Sequence, residues 1–258
     1  MLAVSSEGEK GTVSRRYKGS KKSKERKEAP WYVETPIVIV STILLILVLQ
    51  TFIGRVYLIP SESMEPTLHG CSGCNGDRIA VEKISYYGHD PRPGDVIVFK
   101  GPDSWSTAGE MQKPKTGLAR GFENFGSYLG LVSPNENDLV KRVVATGGQT
   151  VQCHKGDPSV MVDGKPTDQS FVKNPPQYEV DENIGSKACG GAYFGPLTVP
   201  DGNLFVMGDN RTNSADSRAH LGDNMQGTVP VDNVKGKVNA IILPFNHMGG
   251  VKSEDVQN

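Results

Sequence analysis

The sequence predicts a mainly β protein carried on a single N-terminal transmembrane helix, with an exported domain built as a folded sheet or partial barrel that holds an inserted β-subdomain. Three observations predict it. One long uncharged apolar run lies near the N-terminus. Beyond it, apolar residues come in short runs punctuated by Gly, Pro, Asn and Asp, and no later segment keeps the 3.6-residue period of an amphipathic helix. A chain of 258 residues, 36% hydrophobic and 22% charged, is ordinary for a globular protein and long enough for one sizeable domain or two small ones.

The first element is the tail of residues 1–34. Residues 1–30 hold nine Lys or Arg against four Glu, leaving 19 basic and 25 acidic residues downstream, so the basic end and the acidic body face different surroundings. Polar and without periodicity, the tail reads as disordered and suited to rest on anionic lipid. The run TPIVIVSTILLILVLQTFIG follows, and residues 35–54 are assigned to the membrane. At about 1.5 Å per residue, such a run just crosses a hydrocarbon core of roughly 30 Å. It is too long for a usual strand and lacks the polar face of a surface helix. Lysines and arginines crowd one flank, which keeps the N-terminus cytoplasmic and sends Arg55 onward across a cell membrane crossed once. Trp31, Tyr32 and Tyr57 stand where interfacial aromatics anchor a span. A cleaved signal peptide competes with this reading, but the n-region is long and no small-x-small site follows in QTFIGRVYLIP.

The exported part then reads as strands: DRIAVEKI, GDVIVFKG, LVKRVVATGG, TVQC, VMVDGK, GPLTVP, NLFVMGD and VKGKVNAIILPF. They group into a first part at 55–149, an insert at 150–200 and a second part at 201–258. Residues 101–137, rich in Gly, Ser, Asn and Lys, suggest a long surface loop, and neither this loop nor the insert carries an obvious chemical constellation. Cys71, Cys74, Cys153 and Cys189 all fall outside the membrane, where an even count implies disulfides. Three pairings are open; Cys71 with Cys74 and Cys153 with Cys189 is the one expected. A zinc site would need a second CxxC, and a redox CxxC would need a helix after Cys74; the sequence offers neither.

Chemistry concentrates in three stretches. IPSESMEPTL sets Ser61 and Ser63 between Pro60 and Pro66, each proline fixing its own φ and pushing the preceding residue toward an extended conformation. A nucleophile needs such a backbone, but an ordinary turn has the same composition. A serine nucleophile also needs a base, and none of His69, His89, His154, His220 and His247 lies in a recognisable triad context. Lys141 in LVKRVVATGG is the alternative. Strand alternation sends Lys141 and Arg142 to opposite faces, so one of them must face inward or find a partner. A lysine stripped of water loses stability as a cation and becomes a base near neutral pH, whereas a solvated edge-strand lysine only guards against aggregation.

The third stretch, FVMGDNRTNSADSR, ends a strand in a tight turn at Gly208, Asp209 and Asn210. Counted from Asp209, a calcium loop fails, because Arg211 and Ser214 stand where a ligand and a glycine belong. The Asn210 sequon matters only in a eukaryotic secretory context. Asp216 and Arg218 can brace the loop as a bidentate ion pair.

Behind an N-terminal span and in this order, PSESMEPTL, GDVIVF, KRVV and GDNRTNSADSR resemble the bacterial type I signal peptidases, serine-lysine proteases that remove signal peptides from exported proteins. The CxxC after the serine motif and the long insert look like the actinobacterial branch. The resemblance implies Ser63 as nucleophile and Lys141 as general base. It implies that the Ser61 hydroxyl completes an oxyanion hole with the Ser63 N–H, that Ser214 orients the lysine, and that Asp216 and Arg218 support the site as an ion pair. Ile59, Pro60, Met64, Leu68 and Val140 are implied to line shallow pockets for small residues at the substrate's −1 and −3 positions, so that cleavage follows Ala-x-Ala-like sites. The implied partners are signal peptides of exported pre-proteins and the lipid bilayer, with no nucleic acid, metal or cofactor. One span in place of two departs from the best-known members without touching these motifs.

Two rivals remain. Penicillin-binding proteins and β-lactamases place the lysine three residues after the serine, but Pro66 and Met64 occupy that place after Ser63 and Ser61. A non-enzymatic membrane-anchored β-domain binding envelope partners would be indifferent to Ser63→Ala and Lys141→Ala.

Overall fold

The computed structural model describes residues 30–52, 54–71, 73–105 and 138–257. Most of the expected basic tail, residues 1–29, and residues 106–137 of the expected long loop lie outside the described residues.

Helix α1 runs Trp31–Phe52, 22 residues with Glu34 in its first turn. It begins ahead of the expected span and stops short of Gly54, which is already paired in a strand. Ile37, Val38, Ile39, Val40, Leu44 and Leu45 are each 54–61% exposed, so α1 presents apolar side chains all round and not as one stripe. Its side chains are described without a break only over residues 31–46, and among the described residues no helix is long and apolar enough to cross a membrane.

The rest of the described chain is strands joined by turns and short 3₁₀ segments. The strands are β1 Gly54–Leu58, β2 Arg78–Glu82, β3 Val96–Lys100 and β4 Asp138–Thr146, then β5 Thr150–Cys153, β6 Met161–Val162 and β7 Lys165–Pro166. β8 Gly185–Ser186, β9 Gly191–Ala192 and β10 Phe194–Thr198 follow. β11 Asn203–Met207, β12 Val229–Pro230, β13 Val234–Leu243 and β14 Gly249–Gly250 complete the series.

The main sheet is antiparallel in the order β1-β2-β13-β3-β4-β11-β12, with β14 beside β13. β13 enters between β2 and β3, and β11 lies against β4, so the second part of the domain completes a sheet begun by the first. Residues 150–198 supply a separate sheet, β10-β5-β6-β7, and the small hairpin β8–β9.

Strand periodicity explains the core. On β3, Val96 and Val98 join an apolar cluster with Ile59, Met64, Leu68 and Ile79, while Ile97 and Phe99 join another with Val143, Leu204 and Val206. Both faces of β3 are covered, and each such side chain stabilises by roughly 1.5–3 kcal/mol. A third cluster packs the insert's Val151, Cys153, Val160 and Phe194 on Val144, Ala145, Phe205 and Met207. Cys71 bonds Cys74 and Cys153 bonds Cys189, the expected pairing, with Cα atoms 5.5 and 5.7 Å apart.

Candidate active site

Ser63 occupies the middle of the 3₁₀ turn Glu62–Met64. The chain enters through Ser61 (φ −134°, ψ 159°) and leaves through Glu65 (φ −64°, ψ 144°), both extended, as Pro66 demands of the residue before it. Met64, 1% exposed, and Leu68, 0% exposed, pin the turn from beneath, and the Leu68 N–H donates to the Met64 carbonyl. With the apolar members held down, Ser61 is left exposed and Ser63 half-buried, their Oγ atoms 3.3 Å apart.

The turn after β11 grips the same segment. The Asn210 N–H donates to the Ser63 carbonyl at 3.1 Å, and its Nδ2 donates to the Glu62 carbonyl at 3.1 Å. Gly208 approaches so closely that a Cβ there would lie 2.4 Å from the Ser63 carbonyl oxygen and 2.3 Å from Ser214 Oγ. Only glycine fits.

β4 supplies the partner. Lys141 Nζ donates to Ser63 Oγ at 2.7 Å, and the lysine is 4% exposed. Burial lowers its pKa to about 8, against the partly restoring charges of Asp216 and Asp209 and with a further push down from Arg218. Each of those carboxylates has its own arginine. Arg142 Nε and Nη2 donate to Asp209 Oδ1 and Oδ2 at 2.9 and 2.7 Å, and Arg218 Nε and Nη2 donate to Asp216 Oδ1 and Oδ2 at 2.9 and 2.8 Å. Their pull on the lysine is thereby blunted. Burial works to raise the Asp216 carboxyl, but Arg218, the Gly208 N–H and nearby Ser214 hold it below the usual carboxylate range.

The dyad of Ser63 and Lys141 and the pair of Asp216 and Arg218 are thus brought together. Ser214 is not brought into hydrogen-bond contact with Lys141: its Oγ is buried against Gly208, near Asp216 but short of hydrogen-bond geometry with any described residue. Ile59, Met64 and Leu68 are 0–3% exposed and form the core beneath the serine turn, with Val140 packed at its margin and Pro60 exposed above. Alternation predicted one inward-facing member of the Lys141–Arg142 pair, yet both are buried, because the two faces of β4 are both covered. Arg142 also donates to the Gly94 carbonyl at 2.8 Å and lies over the Phe171 ring at 4.3 Å.

Several supports were not legible in the sequence. From the insert, Lys173 pairs with Glu65, and Gln177 Nε2 donates to Glu62 Oε2 at 2.5 Å. Gln177 Oε1 accepts from Asn210 Nδ2, and Arg218 Nη1 donates to the Gly190 carbonyl at 2.8 Å. The insert therefore braces both the serine turn and the loop behind the lysine. These partners lie about a hundred residues from Ser63 and carry no local signal. Beside the dyad, β11 pairs with β4 only from Thr146 to Arg142, so among the described residues Asp138–Lys141 pairs on one side only, with β3. The single group of metal-ligand type among the described residues, His69, Asp77 and His247, makes no hydrogen bond to either member of the dyad.

A family model described as signal peptidase, peptidase S26, matches residues 32–243. The chain is 48% identical over 245 residues to a Mycobacterium leprae protein named "Probable signal peptidase I", covering 90% of this chain and 83% of that one. It is 49% identical over 229 residues to the signal peptidase I of Mycobacterium tuberculosis (strain CDC 1551 / Oshkosh), covering 87% of this chain and 76% of that one. It is 30% identical over 227 residues to the signal peptidase I T of Bacillus subtilis (strain 168), covering 88% and 93%.

Proposed function

The chain belongs to the signal peptidase family, peptidase S26, and we propose that its cleavage of signal peptides runs on Ser63 as nucleophile and Lys141 as general base. It is a serine endopeptidase and a membrane-associated enzyme, and its substrates are the signal peptides of exported pre-proteins.

One observation carries the assignment of roles: the Lys141 side-chain nitrogen, almost fully buried, lies 2.7 Å from Ser63 Oγ, where burial lowers its pKa to about 8. Neutral Lys141 takes the hydroxyl proton as Ser63 Oγ attacks the carbonyl carbon of the scissile bond. The ammonium so formed gives that proton to the leaving amine as the C–N bond breaks. Lys141, neutral again, takes a proton from the water that attacks the acyl-enzyme ester, and returns it to Ser63 Oγ as the new carboxyl group departs. The oxyanion formed in each half is met by the Ser63 N–H and the Ser61 hydroxyl. The short spacing of the two serines supports that role, and losing one such donor costs about 3 kcal/mol of transition-state stabilisation.

The one-sided pairing of Asp138–Lys141 favours a substrate bound as an added strand beside the lysine, its backbone giving affinity and its small −1 and −3 side chains settling over Ile59, Met64, Leu68 and Val140. Asp216 and Arg218 hold the loop behind Lys141, with Ser214 beside them. α1 is the membrane anchor in this reading, with the basic tail cytoplasmic and the β-domain outside. Its 22 residues, apolar on every side, and the positive flank before it support this.

The decisive experiment follows a pre-protein with a small-x-small site. Ser63→Ala and Lys141→Ala should each abolish processing while the far-UV CD spectrum is kept; processing by either folded variant would overturn the dyad, and no processing by the folded parent chain would favour a non-enzymatic domain.

A further inference from the structure

We propose that His69, Asp77 and His247 form a binding site for one divalent transition-metal ion of the zinc class, a structural site that ties the turn after β13 to the disulfide-closed loop that follows the serine turn.

Two of the residues flank one loop, and the third comes from far along the chain. His69 and Asp77 flank the loop closed by the Cys71–Cys74 disulfide, and His247 ends the 3₁₀ turn Phe245–His247 that follows β13. The loop is drawn shut at its base: the Asp77 N–H donates to the His69 carbonyl at 2.8 Å, and the Ile59 N–H donates to the Asp77 carbonyl at 2.8 Å. Across it, 178 residues away in sequence, His247 arrives with its ring 4.3 Å from that of His69.

The ligand atoms converge. His69 Nδ1 and His247 Nδ1 are 3.2 Å apart, His247 Nδ1 is 2.9 Å from Asp77 Oδ2, and His69 Nδ1 is 3.9 Å from that same oxygen. The circle through three atoms so spaced has a radius of about 2.0 Å. An ion near its centre therefore meets all three at the bond lengths of zinc, about 2.0–2.2 Å to imidazole nitrogen or carboxylate oxygen, with no side chain moved. Two imidazoles and a carboxylate suit zinc, cobalt or nickel far better than magnesium or calcium.

Hydrogen bonding alone serves the group poorly. A neutral imidazole carries one N–H, so a proton on His247 Nδ1 reaches Asp77 Oδ2 and His69 Nδ1 together only as a bent, bifurcated donor. A divalent cation engages all three lone pairs together. The carboxylate is also preset as a ligand: Asp77 is 2% exposed, and its Oδ2 accepts from the His69 N–H at 2.8 Å. The histidine side chains, 53% and 33% exposed, leave room for water at a fourth position.

Such an ion would hold the strand that leads through Ile59 into Ser61 and Ser63, because Ile59 hangs from the Asp77 carbonyl. Binding to the folded chain alone raises thermal stability.

The test uses the full chain in detergent, stripped with EDTA and then titrated with cobalt(II) chloride, with zinc(II) chloride as competitor. Expected are one cobalt per chain, with visible d–d absorption displaced by zinc, and a Tm raised by a few degrees in zinc. His69→Ala and His247→Ala should each weaken cobalt binding at least tenfold, whereas His89→Ala, whose exposed ring touches the Asp90 carbonyl, should bind as the parent does. No stoichiometric cobalt or zinc on the parent chain at micromolar free metal, or binding unchanged in both variants, would overturn the site. Should His247→Ala not fold, the more exposed His69→Ala decides alone.

Discussion

In the proposed dyad Lys141 acts as the base because burial makes it a poor cation, and that has a consequence for stability as well as for rate. The folded chain holds this amine at a pKa of about 8 where the unfolded chain holds it near the ordinary 10.5, so between those values the unfolded state binds the extra proton. Stability is therefore lowest below about pH 8 and rises as the pH climbs toward 10.5. At pH 7 the buried ammonium costs about 3 kcal/mol, so Lys141→Met should unfold at higher urea than the parent while losing all cleavage. In the parent, kcat/KM should rise about tenfold per pH unit up to about 8 and level off near 9; a flat profile down to pH 5 would contradict a lysine base. Asp216 is kept from holding the lysine charged by Arg218, so Arg218→Met should shift that rising limb to higher pH, with activity recovered on the alkaline side. A purely structural loss would not recover there.

At the scale of elements, the serine turn is shaped from two sides, and only one of them was legible. The prolines around the serines and the short apolar runs of β2, β3, β4 and β11, punctuated by Gly, Asn and Asp, are local signals that led to the turn and strands found. The close approach of Gly208 is not local: the glycine reads as a turn residue, yet what makes it necessary is the Ser63 carbonyl 145 positions earlier. Gly208→Ala should push the two segments apart by about 1 Å, and a misplacement of that size lowers kcat/KM by about 10²-fold. The insert looked chemically silent because Lys173 and Gln177 are ordinary polar residues until the fold sets them beside Glu65 and Glu62. Its disulfide closes a long loop, Cys153 to Cys189, and the carbonyls that hold Arg218 are those of Cys189 and of Gly190 next to it. Cys153→Ala with Cys189→Ala should cost about 2–4 kcal/mol in urea unfolding.

For the whole molecule, the family and its mainly β fold were legible in the sequence, while whatever depends on meetings across the chain stayed hidden. Asp209 found Arg142, and His69 found His247, through a sheet in which β13 and β11 fold back among earlier strands. No period in the sequence encodes such meetings. If α1 holds enzyme and substrate in one bilayer, the chain reconstituted with a pre-protein in shared vesicles should process it at least tenfold faster than with the pre-protein in separate vesicles, since confinement raises effective concentration. If the substrate adds as a strand to the half-paired stretch of β4, that edge sets what can be cut at all. A segment already folded into helix or sheet has its amides and carbonyls engaged and offers nothing to that edge, whereas a short extended stretch offers both. On that reading the enzyme tests its substrate for local unfolding before it reads any side chain, and the mature domain, once folded, is spared.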